Sequence, residues 1–100
     1  MKQFLLTNAA KKDLKGILKY TEKNWGREQR NIYLKQFDET FELLAGSPEI
    51  GFECDYIKVG YMKFPQGSHI IYYTEGSESK ILVIRILHGA MDEKKNMLNS

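Results

Sequence analysis

Two histidines, His69 and His88, and an arginine set inside an apolar run, Arg85, are the side chains here best suited to chemistry. Both histidines fall on neighbouring predicted strands. Imidazoles titrate near neutrality, so such a pair can supply an acid and a base for phosphodiester cleavage. Arg85 or Lys63 would then neutralise a phosphorane-like transition state. The plainer reading is that His88 caps a strand end through a hydrogen bond and His69 lies on the surface. Arg85 interrupts Ile81–His88, which is otherwise apolar or aromatic and reads as a central strand buried on both faces. Burial there requires a carboxylate, a carbonyl or a partner protein to satisfy its five donors.

Other residue types leave similar choices open. Tyr56, Tyr61, Tyr72 and Tyr73 lie near the predicted sheet, where they can stack on bases or pack the core. Lys11, Lys15, Lys19 and Lys23 recur every four residues, a row that can touch nucleic acid phosphates or keep a helix face solvated. Cys54 is the single cysteine, with no histidine near it in sequence, and reads as a small apolar residue. No Gly-rich phosphate loop, metal-spaced Cys/His cluster or Gly-x-Ser-x-Gly elbow occurs, and no cofactor or metal is expected.

The elements that must hold these residues read off in order. Gln3–Leu6 is a short first strand. Thr7 caps a helix whose inner side carries Ala10, Leu14, Ile17, Leu18, Thr21 and Trp25. Gly16 lies mid-helix, where it weakens the helix slightly and suggests close packing. Gly26 ends the helix, and a second runs from about Arg27 to Ala45, completing an antiparallel helical hairpin. Its main stripe is Tyr33, Phe37, Phe41 and Leu44, while Ile32 and Leu43 mark a second apolar face suited to core or partner. Gly46-Ser47-Pro48 stops it. A loop to Asp55 follows, with Gly51 available for a positive-φ turn. The period then changes to two: Tyr61–Phe64, a turn at Pro65–Gly67, Ser68–Thr74, a loop, and Lys80–His88. The expected fold is α+β, with an N-terminal strand, a two-helix hairpin and a three-stranded antiparallel meander forming one sheet.

One hundred residues make one domain, 1–100, with 93–100 a frayed turn or flexible tail. No apolar run approaches bilayer length, no signal peptide is evident, and the lone cysteine fits a reducing cytoplasm. Charge is segregated: residues 1–36 carry nine Lys/Arg against three Asp/Glu, and residues 37–57 carry six acids and no base. Such asymmetry suits a polyanion- or protein-binding face, or two solvated helix faces.

Taken together, the patterns resemble a known family. They are Leu6-Thr7-x-x-Ala10 leading to Asp13-Leu14 and Ile17, Tyr20 to Gly26 with Trp25, and Ser47-Pro48-x-Ile50-Gly51. Phe64-x-x-Gly67-Ser68-His69 before Tyr72, and Ile84-Arg85-Ile86-Leu87-His88 with Met91-Asp92, complete the set. Over Phe4–Asp92 the chain resembles the ParE toxins of the RelE/ParE superfamily, from type II toxin–antitoxin modules. The resemblance implies a cytoplasmic, non-catalytic toxin that binds DNA gyrase through its A subunit and stabilises cleaved DNA. It would meet DNA only through gyrase, have no membrane role, and be neutralised by a ParD-like antitoxin. Candidate target- or antitoxin-binding residues are Arg85, His88, Lys63, Tyr72, Ile32 and Leu43. Met62 departs from the pattern, since close ParE-like sequences often carry an arginine beside Lys63. The RelE-like branch, which shares the fold, cleaves messenger RNA on the ribosome. It often has an arginine on the middle strand and a basic or tyrosine-containing cluster after the last, where this chain has His69 and Gly89-Ala90. Because some nuclease branches use a late histidine, the alternative is a ribosome-dependent endonuclease using His88, His69 and Arg85.

Overall fold

A computed structural model describes residues 2–91 and 93–98. Strand β1 (Lys2–Leu6) leads into helix α1 (Asn8–Trp25), and after a single residue the chain enters helix α2 (Arg27–Gly46). The Thr7 hydroxyl accepts from the Ala10 amide at 3.0 Å and donates to the Ile84 carbonyl at 2.7 Å. One residue thus caps the helix and ties it to the sheet. Gly26, at φ 95°, reverses the chain between the helices in a conformation open to glycine.

A 3-10 turn at Pro48–Ile50 precedes strands β2 (Phe52–Glu53), β3 (Met62–Gln66), β4 (His69–Glu75) and β5 (Ser79–His88), then helix α3 (Glu93–Leu98). The five strands run β1-β5-β4-β3-β2. The meander is antiparallel as expected, but β1 pairs parallel to β5, from Lys2 opposite Ser79 to Leu6 opposite Val83, so the sheet is mixed. Parallel pairing is open to β1 because α1, α2 and strands β2 to β4 intervene before β5, leaving ample chain to bring β5 back in the same direction.

Several local expectations change. The β3–β4 turn is Gly67-Ser68 alone, and Pro65 sits within β3 opposite Ile70. The described part of β2 covers only Met62 and Lys63, so Pro65 meets no strand on its other side that needs its missing N–H. Gly51 has φ −75°, not a positive value. It is constrained instead by approach, since a Cβ there would strike the Tyr73 hydroxyl. Gly16 faces open space rather than a packed neighbour. Trp25 keeps the angular position of the α1 stripe but is 71% exposed. Periodicity gives the direction a side chain faces, not how far the core extends beneath it. Glu93–Leu98 are helical where the sequence suggested a frayed turn or tail.

Two apolar clusters flank the sheet. Phe37, Phe41, Leu44, Ile71, Tyr73 and Val83 form the larger one, between helices and sheet. On the other face Cys54, Tyr72, Ile84, Leu87 and Met97 pack together, with α3 supplying Met97. Strand β5 is therefore covered on both faces, as its composition predicts.

Candidate functional site

β5 has ten residues and β1 only five, so β5 continues past its parallel partner. Along that stretch α1 substitutes for a strand. Asp13 Oδ2 accepts the Ile86 amide at 3.0 Å, satisfying a backbone donor. The same carboxylate takes a forked pair from Arg85, Nε at 2.7 Å and Nη2 at 3.1 Å. Arg85 Nη1 also donates to the Asn96 carbonyl of α3 at 3.1 Å. The guanidinium thus links α1 on one side of the sheet to α3 on the other. Its hydrogen bond to Asp13 raises the Arg85 pKa, so the guanidinium stays charged. A bulge at Tyr72/Tyr73, where Arg85 pairs with Tyr72 but Val83 with Tyr73, gives β5 the extra residue that sets Arg85 at this edge.

At the end of the same strand His88 pairs with His69 of β4, their rings edge to face with centroids 5.5 Å apart. Tyr33 of α2 shares a hydrogen bond of 2.8 Å with His69 Nδ1. Burial pushes His69 below the ordinary imidazole value, and the adjacent His88 adds to the effect. His88 Nδ1 accepts the Ala90 amide at 3.1 Å, the strand-end cap anticipated from sequence. His69 is half-buried, not a surface residue. The two histidines and Tyr33 line an open groove of about 1160 Å³ bounded by α1, the start of α2 and the β4–β5 ends. Arg85 reaches the groove as well, but with its fork on Asp13.

Lys63 and Tyr72 belong to a separate cluster on the opposite face. Glu93 of α3 accepts from Lys63 at 2.9 Å, from Tyr72 at 2.6 Å and from Tyr56. Burial raises the Glu93 carboxyl, but these three bonds outweigh it and hold it below the usual carboxylate value. Lys63 is raised by its bonds to Tyr56 and Glu93, and Tyr72 by burial and then Glu93. Tyr72 is only 2% exposed, so its ring is core rather than a stacking platform. Ile32 and Leu43, at 44% and 51% exposure, lie open on α2.

Sequence reasoning demanded a partner for Arg85 without naming Asp13. The available signal was that Asp13 is the sole acid in residues 1–21, among five lysines. Tyr33 falls on the core stripe of α2 in the sequence, and Glu93 lies in a terminal segment that carries no pattern to mark it. Among the described residues no group of three or more His, Cys, Asp or Glu could hold a metal ion, and no helix is long and apolar enough to cross a membrane.

This architecture matches a chain from the solved structure of a chromosomal ParDE TA system from P. aeruginosa. The TM-score is 0.72 at 17% identity, covering 88% of this chain and 96% of that one. At that identity the likeness defines the fold alone, the small α+β architecture found in that ParDE structure. Sequence takes the assignment further. The family model for the ParE toxin of the type II toxin–antitoxin system, parDE, matches residues 4–93. Toxin ParE1 of Mycobacterium tuberculosis is 37% identical over 95 residues, which are 95% of this chain and 97% of that protein. Toxin ParE1 of Caulobacter vibrioides is 33% identical over 97 residues, or 97% and 99% of the two chains. The chain belongs to the ParE family of toxins from type II toxin–antitoxin systems.

Proposed function

We propose that this toxin acts in the cytoplasm by binding DNA gyrase, through the A subunit, and stabilising cleaved DNA, and that a ParD-like antitoxin neutralises it. The observation that carries the reading is membership of the ParE family over residues 4–93. The geometry agrees with action by binding. The polar ends of Arg85, Lys63 and Tyr72 are held by Asp13 and Glu93, which makes a rigid platform rather than groups poised for proton transfer. Ile32 and Leu43 offer apolar surface to an antitoxin segment that folds on contact. The test is binding of the purified toxin to immobilised gyrase A subunit, with and without a ParD-like antitoxin. Saturable binding that the antitoxin abolishes supports the reading, and absence of binding by folded toxin rejects it.

The second reading, a ribosome-dependent mRNA endonuclease, is favoured by one observation, the contact of His69 with His88 beside Tyr33. It requires His88→Ala to abolish toxicity with the fold intact and messenger RNA to be cut in expressing cells. Intact messages during growth arrest would exclude it.

A further inference from the structure

α1 shows two anomalies. Tyr20 and Trp25, both large aromatics, are 67% and 71% exposed. Both line the groove that also holds His69, His88 and Tyr33. Isolated exposed apolar residues are ordinary, but two aromatic rings on the wall of one concavity are a candidate contact surface. The second anomaly is charge. Lys12 stands on the lip of this groove, and its neighbours at helical spacing, Lys15, Lys19 and Lys23, are exposed along the crest of α1, Lys15 and Lys19 also lining a smaller concavity on its far side. The acids of α1 do not offset them. Asp13, also on the groove wall, is bound by Arg85, and Glu22 lies 3.9 Å and 3.8 Å from Arg27 and Arg30.

We infer that this groove is a binding site for single-stranded nucleic acid, with bases stacking on Tyr20 and Trp25 and phosphates meeting the lysine crest of α1. Rings alternating with mobile cations answer the two chemistries a single strand presents, a π-face and a phosphate at each residue. An acidic peptide would also satisfy the lysines, and binding of poly-glutamate tests that occupant against a single strand. Lysine, a flexible point charge, suits backbone neutralisation without reading sequence. Gly16 supports the assignment, for it lies in the groove wall between Lys12 and Tyr20 with open space where a side chain would stand. Glycine inside a helix is otherwise unfavourable, and here no packing contact offsets that. The inference does not depend on gyrase, because the groove belongs to the toxin alone.

Trp25 is the single tryptophan, so its fluorescence reports directly on the site. The experiment titrates full-length toxin with oligo-dT of about twelve nucleotides, following Trp25 quenching and the anisotropy of a labelled strand. Saturable quenching is expected, with a slope of log affinity on log salt of roughly −2 to −3 for about three or four phosphate contacts. Trp25→Ala and Tyr20→Ala should each weaken binding roughly five- to a hundredfold, as loss of one stacked base implies. Gly16→Leu should weaken it similarly while leaving the melting temperature unchanged or higher, which excludes misfolding as the cause. Three results would overturn the site: no quenching, duplex DNA or poly-glutamate binding as tightly as oligo-dT, or unchanged affinity in the aromatic variants.

Discussion

Asp13 carries three hydrogen bonds at once, two from Arg85 and one from the Ile86 amide, so it is the side chain whose loss should cost most. Asp13→Ala would leave a partly buried guanidinium and a strand-edge N–H without their acceptor. We expect a loss of about 2–4 kcal/mol in urea unfolding, and Arg85→Ala to cost less because Asp13 keeps the Ile86 amide. His69 makes stability depend on pH. Its folded pKa lies below the ordinary 6.5, so the unfolded chain takes up the proton first as pH falls. The His69 contribution is complete above that value and is lost downward through the window beneath it. Unfolding at about pH 7.5 and about pH 5.5 should show the drop, and His69→Gln should reduce it. Glu93, held below the ordinary 4.5, adds a second loss at more acidic pH, by the same sign. At Gly51 the constraint is steric. Gly51→Ala should cost about 1–3 kcal/mol, and adding Tyr73→Phe should recover part by removing the hydroxyl it strikes. The need for an Arg85 partner was legible in the sequence, whereas its identity was not, because 72 residues separate the pair.

Among the elements, the helical hairpin and the meander were readable because their signals are local. Apolar residues at helical spacing, the Thr7 cap and Gly26 mark the helices, and alternation with Gly67 marks a hairpin. What depends on distant segments was not readable. The parallel docking of β1 on β5 joins the two ends of the chain, and no pattern within Lys2–Leu6 states its direction. Helix α3 was missed for a related reason. Six residues have little intrinsic helical stability, so α3 depends on packing. Met97, 4% exposed, enters the cluster of Cys54, Tyr72, Ile84 and Leu87, while Glu93 is bound by Tyr56, Lys63 and Tyr72. Met97→Ala should therefore cost about 2–3 kcal/mol, measured by denaturant unfolding. Deleting residues 93–100 should destabilise the domain as well, by opening that face of the sheet to water. A deletion variant as stable as the full chain would show that α3 contributes nothing to the fold.

At the scale of the whole molecule, α1 and the start of α2 gather cations, while residues 37–57 hold six acids and no base. The ionic links given above, Asp13 with Arg85, Glu93 with Lys63, and Glu22 with Arg27 and Arg30, do not cross this divide, and none of them engages the lysine crest of α1. The ParE family and the RelE/ParE type of fold were legible from short patterns spread over most of the chain, because each marks a turn, cap or strand that the fold needs. The target is a different matter, since a toxin that works by binding leaves no constellation of reacting groups to read. The decisive measurement is supercoiling of relaxed plasmid by purified gyrase and ATP, with and without this toxin. Loss of supercoiling is expected, together with accumulation of cleaved, gyrase-linked DNA, both reversed by a ParD-like antitoxin. Undiminished supercoiling in the presence of folded toxin would contradict this expectation, and His88 on the ribosome would become the place to look.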